Sequence, residues 1–516
     1  MLLSAISPGN EGREMTEKSI VIIGAGLAGL STGCYAQMNG YRSHIFEHHT
    51  KPGGVAAAWE RQGYLIDGGV HFLMGHRPSQ PIYDLYRELG TAQANRFPDV
   101  TTYGRFVGEA SGYSVDITAD LDRLANDLKI LSPADTRLVD ELIAGSHALR
   151  GSHLLSEIGM GKPPELMGPL DQIKQFWSMR QALRYSGKYA KPIAEYAQTA
   201  HNPLLRQLLK NLFLPEVPVW FIFMFLALLA DRQIGLLEGG CPSFVQPIEA
   251  RYKALGGQVT YNATVEEILV ENDRAVGVRL ADSSEHRADV VVSAADGYNT
   301  IFKMLSGRYV DEKIKERYRS WKLVRPAVIV SFGVVREFTG EPPFTTIMLG
   351  HPFTVGSQAI NGVFVRIFNY SSKFAPPGKT VVQVGFETQW DYWNDLQKED
   401  RACYDAEKER VAEEVLARLE AHYPDISSQV EVTDVATPYT WWRYTLSHRG
   451  ASMGWLPTPE AIMTPIPRTL PGLANFYMAG QWVMPGGGVP PCLYSGRHVV
   501  QILCHQDGKP FSTTTE

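Results

Sequence analysis

Three glycines near the start of the chain have the spacing of a dinucleotide-binding turn. Gly24, Gly26 and Gly29 follow the short apolar run Ser19 to Ile23, and Glu47 stands roughly twenty residues further on. In such a turn the first glycine allows a tight bend, the second lets the backbone approach a diphosphate, and the third lets a helix pack on a strand. A carboxylate at Glu47 would accept hydrogen bonds from ribose hydroxyls. The pattern predicts dinucleotide binding, and a glycine-rich turn in some other α/β unit is the alternative.

The elements around these glycines support the first interpretation. Ser19 to Ile23 and Arg42 to Phe46 have the composition of buried strands, and Leu27 to Met38 has that of a helix. Together they form a βαβ unit whose helix N-terminus faces the bound anion. Ala25, Leu27 and Ala28 stand between the glycines and complete the predicted cofactor turn. We therefore expect an α/β fold with a Rossmann-like domain.

A second group of motif residues follows the βαβ unit. Gly53 and Gly54 come first, and then Asp67, Gly69 and His71 in the order D-x-G-x-H. With these residues the sequence resembles the phytoene desaturase-like branch of the flavin amine oxidase superfamily, and the D-x-G-x-H order is most similar to its retinol saturase and carotenoid isomerase subgroup. An imidazole at the flavin's edge could act as acid or base. Alternatively, His71 hydrogen-bonds a backbone carbonyl and only shapes the turn.

Two later segments extend the resemblance, Leu255 to Asp296 and Phe476 to Val500. The resemblance implies that Val265 packs against the adenine side of FAD. In the last segment it implies a strand, a glycine-rich turn and a helix that begins near Ser495. The cofactor residues it predicts there are Gly480, Gln481, Gly488 and Val489. The sequence departs from the family at Val55, where many relatives carry a basic residue, and at Gln481, where many carry an acid.

The resemblance implies a discontinuous Rossmann-like FAD-binding domain and a second, mixed α/β substrate domain. We expect the FAD to be held without a covalent bond. The predicted FAD domain comprises residues 19–101, 240–300 and 474–508, the predicted substrate domain comprises residues 102–239 and 301–473, and residues 1–18 are predicted to be a disordered tail.

Apolar and aromatic residues in the predicted substrate domain suit a lipophilic ligand. Val217 to Ala230 is a continuous apolar run, too short to span a membrane, which either lines a tunnel or belongs to the core. Trp441 and Trp442, together with Tyr494 of the last FAD-binding segment, are candidate substrate contacts. Packing in the core is the alternative for each of them.

A basic stretch precedes that apolar run. On a helix, Arg180, Arg184, Lys188 and Lys191 would share one face beside a stripe of Phe176, Met179 and Leu183. This pattern is typical of a helix that lies on a membrane surface, and equally of a solvated basic face over an ordinary core helix. Both interpretations stay open from the sequence alone.

Composition excludes several classes of function. The net charge of −6 over 516 residues, with 20% charged and 44% hydrophobic residues, is that of an ordinary globular protein and not of a nucleic-acid-binding or disordered chain. Five scattered cysteines and scattered histidines indicate neither a disulfide framework nor a metal site. We expect a cytoplasmic protein, with or without peripheral contact with a membrane.

The leading functional hypothesis is FAD-dependent desaturation, saturation or isomerisation of a carbon–carbon bond in a carotenoid, retinoid or related isoprenoid. Such chemistry needs an apolar cavity that holds carbon against the flavin and few polar groups. A flavin amine oxidase and a non-catalytic prenyl- or lipid-binding protein resembling the Rab GDP-dissociation inhibitors are the alternatives. The sequence holds one dinucleotide fingerprint and no second one for a nicotinamide.

Overall fold

The computed structural model describes residues 17–78, 80–152, 161–178 and 187–514. Residues 1–16 of the predicted tail lie outside these ranges. So do Met179, Arg180, Leu183 and Arg184 of the predicted basic face.

A five-stranded parallel sheet carries the glycine turn. Its strands, in spatial order, are Phe476–Met478, Val290–Ser293, Ser19–Ile23, Arg42–Phe46 and Gln258–Thr260. The predicted βαβ unit is confirmed, with its helix at Leu27–Met38. Since both faces of this sheet are covered, its central strand is continuously apolar from Ile20 to Ile23 rather than alternating.

Different layers cover the two faces of the parallel sheet. Ile20 and Ile22 pack on the side of three helices, Leu27–Met38, Gly240–Ala254 and Val489–Gln506. Val21 and Ile23 pack on the side of a three-stranded antiparallel sheet. The strands of that smaller sheet are Val265–Glu271, Arg274–Leu280 and Glu285–Arg287.

A seven-stranded mixed sheet forms the second large layer, and its edge strands come from distant parts of the chain. In spatial order the strands are Val430–Ala436, Ala327–Val334, Thr380–Glu387, Gln358–Ile367, Phe344–Val355, Thr102–Gly108 and Tyr113–Thr118. Helices Trp390–Glu399 and Arg401–His422 pack against one end of it. Both sheets combine segments far apart in sequence. The division of the chain into two interleaved domains, with its limits, stays a prediction.

Helices around the apolar run form a separate core. They are Leu121–Leu131, Thr136–Ala148, Pro169–Ser178, Ile193–Ala197, Pro203–Leu212 and Trp220–Ala230. Most of Trp220–Ala230 is buried, which supports the core interpretation of the run. None of the helices in the described ranges has both the length and the apolar character that crossing a membrane requires.

Two predictions about helices are wrong. Lys188 lies in a turn and Lys191 in a bend, so neither shares a helical face with the residues before them. Lys188 instead pairs with Glu141 (2.8 Å). The last helix begins at Val489 rather than near Ser495, because Gly488 ends the turn and prolines occupy the first helical turn, where a missing N–H costs nothing.

The remaining elements are short. Two strand pairs, Ala58–Arg61 with Tyr64–Asp67 and Leu73–Met74 with Ile234–Gly235, bracket the D-x-G-x-H residues. The other helices are Ile82–Glu88, Thr91–Ala94, Glu312–Ser320, Pro438–Thr445 and Pro459–Met463, with a π-helix at Asn299–Met304.

Candidate active site

A cavity of about 1090 Å³ lies where the carboxyl ends of the parallel strands face the seven-stranded sheet. Most of the residues predicted for the cofactor line it. They are Gly24, Gly26, Leu27, Ala28, Glu47, Gly53, Gly54, Val265, Gly480, Gln481, Gly488 and Val489. His71, Trp441 and Tyr494 line it as well, whereas Ala25, Gly29 and Trp442 do not.

The first glycine turn leaves room where a diphosphate would lie. Gly24 has a φ of +96°, a conformation that side chains disfavour. A Cβ on Gly29 would lie 1.9 Å from the carbonyl oxygen of Gly24, so the helix can pack this closely only with glycine there. On the cavity side, a Cβ on Gly26 would have its nearest neighbour 3.9 Å away, at Gly54. The space beside Gly26 therefore suits a ligand that approaches the backbone.

Glu47 lies at the end of the second strand with its carboxylate facing the turn. Its oxygens accept hydrogen bonds from the backbone N–H groups of Ala25 (2.6 Å) and His49 (2.7 Å). Burial raises the pKa of the Glu47 carboxyl, and these two hydrogen bonds partly offset the rise. Ala25 thus acts through Glu47, which explains why it belongs to the motif without lining the cavity.

The second and third glycine groups close around the same space. Gly53 donates its N–H to the carbonyl of Ala25 (2.9 Å), which ties the second glycine pair to the first turn. The turn before the last helix has positive φ at Gly486, Gly487 and Gly488. Both that helix and the helix Leu27–Met38 begin at glycines without a side-chain cap. The first N–H groups of Leu27–Met38 are therefore available to a ligand, whereas the last helix offers the N–H of Val489 alone before Cys492, because Pro490 and Pro491 have none. Two positive helix ends at one cavity fit an anionic cofactor such as FAD.

Asp67 of the D-x-G-x-H order has a structural role. Its buried carboxylate accepts hydrogen bonds from the N–H groups of Cys241 (2.5 Å) and Gly69 (3.1 Å), and from the Cys241 thiol (3.2 Å). It therefore anchors the loop 67–71 to the start of the helix Gly240–Ala254. The sequence could not reveal this partner, because it lies far along the chain.

His71 faces the cavity with its ring stacked on Phe364, 5.5 Å between centroids. Within the described ranges neither ring nitrogen makes a hydrogen bond, so the bond to a backbone carbonyl that the structural alternative requires is not found there. Burial and, secondly, the charge of Arg366 lower the pKa of His71 to about 3. The imidazole is therefore neutral at neutral pH.

Arg366 belongs to a row of polar side chains that the sequence interpretation missed. The row crosses three neighbouring strands: Arg366 donates to Gln383 (3.2 Å), and Gln383 donates to Ser331 (3.1 Å). Arg366 also donates to the carbonyls of Asp67 (3.1 Å) and Val70 (3.3 Å). It thereby holds the loop that presents His71. One signal could have identified it, a single arginine in the strand-like run 362–369.

The three predicted aromatic substrate contacts, Trp441, Trp442 and Tyr494, do not all lie at the cavity. Trp441 and Tyr494 are almost fully buried at the cavity wall. Trp442 packs instead against Tyr439 (5.4 Å) and Trp390 (6.3 Å), away from the cavity, so its prediction as a substrate contact is wrong. Trp441 and Trp442 are adjacent on the helix Pro438–Thr445, and adjacent side chains on a helix point in different directions. One of the two therefore lies at the cavity and the other does not.

Comparison with known proteins identifies the family. The sequence matches the family described as flavin containing amine oxidoreductase over residues 27–504. It is 24% identical over 496 residues to the chloroplastic prolycopene isomerase of Arabidopsis thaliana, covering 92% of this chain and 81% of that protein. It is also 24% identical over 513 residues to a lycopene-forming phytoene desaturase of a Paracoccus species, covering 94% of this chain and 97% of that protein.

A solved structure supports the fold. An oxidoreductase from Methanosarcina mazei superposes with a TM-score of 0.59 at 19% identity, covering 94% of this chain and 100% of that one. The predicted resemblance is thus confirmed. Since the family match extends over nearly the whole sequence, the chain belongs to the flavin containing amine oxidoreductases and is an FAD-dependent oxidoreductase.

Proposed function

We propose that this oxidoreductase desaturates, saturates or isomerises a carbon–carbon bond in a long isoprenoid of the carotenoid or retinoid class. The observation that carries the proposal is the lining of the cavity beyond His71, which we call the apolar arm. Its walls include Leu208, Leu212, Phe213, Leu214, Trp220 and Phe221. Similarity to a prolycopene isomerase and a phytoene desaturase supports the same class of substrate.

The glycine-rich end of the cavity holds the cofactor in this proposal. The N–H groups at the start of helix Leu27–Met38 would bind the diphosphate, and the N–H of Val489, at the start of the last helix, would face the flavin edge. Glu47 accepts from the ribose hydroxyls, and Val265 packs against the adenine. Gln481 takes the place of an acid near the ribitol and can both donate and accept. Bound there, FAD supplies the two-electron chemistry of the reaction.

His71 is the proposed catalytic residue. It faces the cavity from the loop held by Asp67 and Arg366. With a pKa of about 3, the ring carries one proton at neutral pH. It therefore serves as a base or as an N–H donor toward the substrate, rather than as a cationic acid. The apolar arm keeps water from the reacting carbon and positions the chain of the substrate.

Turnover assays with FAD-loaded protein test the proposal. We expect anaerobic mixing with C40 polyenes to change the absorbance of the polyene, and mixing with primary amines to produce no peroxide in air. Phe221→Arg should lower polyene turnover about 100-fold while FAD content is unchanged, because it puts a charge in the apolar arm. Ile130→Arg is the matched control, since Ile130 is 69% exposed and does not line the cavity. Oxidation of amines without any change in polyenes would contradict the proposal.

We also propose that the helix Pro169–Ser178 contacts a membrane surface, from which the substrate is loaded. Leu170, Ile173 and Trp177 are 75%, 54% and 61% exposed, and their spacing places them on one helical face. Lys174 adds a cation to this helix, on which Asp171 is paired with Lys162 (2.9 Å). Exposed apolar residues beside a cation suit the interface of an anionic bilayer.

A further inference from the structure

The cavity wall contains one phenol that the flavin chemistry proposed above does not use. It belongs to Tyr103, which lies on the strand Thr102–Gly108 and lines the cavity. Its ring is fixed by Phe225 (4.7 Å), Phe344 (4.9 Å) and Phe72 (5.5 Å). In the part of the chain that the structure describes, this hydroxyl makes no hydrogen bond.

Tyr103 and His71 both lie beside the ring of Phe344. The ring of Phe344 is 4.9 Å from Tyr103 and 6.5 Å from His71. Burial raises the pKa of Tyr103 and lowers that of His71, so the phenol keeps its proton and the imidazole stays neutral. Each therefore offers one hydrogen-bond donor to the cavity.

Arg366 adds positive charge to this part of the cavity. It interacts electrostatically with both Tyr103 and His71. Its side chain is 4% exposed, and its hydrogen bonds go to Gln383 and to the loop carbonyls of Asp67 and Val70. Among the described residues its Nε has no hydrogen-bond partner, so Arg366 contributes both its charge and an unsatisfied buried N–H.

The surroundings of these donors are apolar. Phe72, Phe344 and Phe364 pack against Tyr103 or His71 and line the same cavity. A pure hydrocarbon bound here would leave an O–H and an N–H without acceptors in a site of low polarity, which disfavours binding. A site built to hydrogen-bond an oxygen discriminates strongly against an analogue that lacks it.

We propose that the cavity selects an isoprenoid that carries an oxygen function, a carbonyl or a carboxylate, which accepts hydrogen bonds from Tyr103 and His71 beside Arg366. This inference rests on the proposed function and narrows its substrate class. It assigns Tyr103 as a specificity-determining residue. The oxygen would lie next to the Phe344 ring, and the hydrocarbon chain would follow the apolar arm toward Phe221.

Binding of three matched polyenes to the FAD-loaded protein tests the proposal. The probes are the C20 aldehyde retinal, the corresponding carboxylic acid, and the hydrocarbon in which a methyl group replaces the aldehyde. Dissociation constants follow from quenching of tryptophan fluorescence. We expect the aldehyde, the acid or both to bind at least about tenfold more tightly than the hydrocarbon. Tighter binding of the acid than of the aldehyde would identify a carboxylate as the preferred group.

Tyr103→Phe isolates the hydroxyl, because it retains the ring and its aromatic contacts. We expect it to lower the preference for the oxygenated probe about fivefold, through weaker binding of that probe and tighter binding of the hydrocarbon, which no longer leaves an O–H without an acceptor. FAD content should not change. Tyr113→Phe is the matched control: its hydroxyl bonds to the carbonyl of Asp127 (3.4 Å) outside the cavity, and the preference should not change. Melting curves confirm that both variants fold.

Several outcomes would overturn the inference: equal affinity for all three probes, an unchanged preference in Tyr103→Phe, or loss of FAD from that variant, which would place the hydroxyl at the cofactor. The proposed function is judged separately by turnover. Hydrocarbon turnover with equal binding of the probes would remove only this inference. An oxygen preference without turnover of any polyene would remove the proposed function and leave the binding site.

Discussion

The two ends of the cavity are built from different chemical groups. Around Gly26 and Gly488 the wall is largely backbone: glycine turns, the first N–H groups of helix Leu27–Met38 and the N–H of Val489. Around Phe221 the wall consists of side chains that come from the helices and from the seven-stranded sheet.

This difference separates binding from selection. The glycine-lined end around Gly26 and Gly488, which we call the cradle, recognises a diphosphate by its shape and by backbone N–H groups. Because every chain possesses such groups, few side chains matter for binding there. The apolar arm recognises its ligand by the volume and polarity of individual side chains, which can change without disturbing the cradle. Substitutions at the two ends should therefore have separable effects, and that expectation can be tested.

The largest effect is expected at the cradle. Gly26→Val should weaken FAD binding about 100-fold or more, about 2.7 kcal/mol, because the added side chain projects into the space beside Gly54. The flavin absorbance of the purified protein measures it. Gly187→Val is the control, since a Cβ there meets no atom of the described residues within 4 Å and its φ is not in the left-handed region. A yellow Gly26→Val variant with normal affinity would contradict the assignment of the cradle.

A second large effect is expected at His71, beyond which the apolar arm begins. His71→Ala should lower turnover by about 10² to 10⁴ while FAD content stays normal, as for loss of a general acid–base group. His71→Gln retains an N–H donor but does not titrate. Full activity in His71→Gln would show that a hydrogen bond suffices and that no proton transfer occurs at this residue.

The pH dependence of turnover sharpens the same point. Because the pKa of His71 is lowered to about 3, its titration should not affect the rate between pH 5 and pH 8. A cationic acid would behave differently: the rate would rise as the pH falls toward 3, since only then does the ring gain its second proton. Such a rise in wild type, absent in His71→Gln, would contradict the neutral assignment.

Asp296 connects the two ends and predicts a pH effect on stability. It follows the parallel strand Val290–Ser293 and accepts hydrogen bonds from the N–H groups of His448 (2.7 Å) and Asn299 (2.8 Å). Burial raises the pKa of Asp296 to about 7, and these hydrogen bonds and the charge of Lys303 only partly offset the rise.

The direction of the pH effect on stability follows from the raised pKa of Asp296. Between about pH 4 and pH 7 the folded protein keeps a proton that the unfolded chain releases, so this group lowers stability as the pH rises. Asp296→Asn removes that dependence. The free energy of unfolding of the variant, relative to wild type, should increase by roughly 1 to 3 kcal/mol from pH 5 to pH 8. A constant difference in the free energy of unfolding between the two proteins across this range would contradict a raised pKa of the buried Asp296 carboxyl.

The contrast between the two ends also explains what the sequence could reveal. The cradle depends on local spacing, so Gly24, Gly26 and Glu47 and the bounds of the βαβ unit followed from the sequence. The arm depends on contacts between distant segments. Tyr103 and Arg366 come together only when separate strands pair in one sheet. No local pattern distinguishes Trp441, at the cavity wall, from its neighbour Trp442.

The predicted basic helical face that includes Lys188 and Lys191 is wrong for a related reason. A periodic pattern assigns faces correctly only while the chain stays helical, and Lys188 and Lys191 lie beyond the described helix, in a turn and a bend. The exposed apolar face of Leu170, Ile173 and Trp177, and not a basic face, is the stronger basis for membrane contact.

The smallest effect is expected at this helix, because it concerns delivery of substrate rather than its recognition. Leu170→Ser with Ile173→Ser should lower co-sedimentation with anionic liposomes several-fold, since each buried large apolar side chain contributes about 1.5 to 3 kcal/mol on full burial and these bury only partly. Ile130→Ser is the control, because it removes an equally exposed apolar side chain from another helix.

A second variant in the same sedimentation experiment separates apolar attraction to the membrane from electrostatic attraction. Changing Arg180, Arg184, Lys188 and Lys191 together to Gln removes basic charge, each residue being worth about 1 kcal/mol near an anionic surface. If the basic residues dominate, this variant alone loses binding, and wild-type binding weakens as salt rises. If the apolar face dominates, the serine variant alone loses binding, and salt has little effect. Equal sedimentation of all variants would remove membrane contact from the proposal, while the cradle and the arm would keep their separate roles.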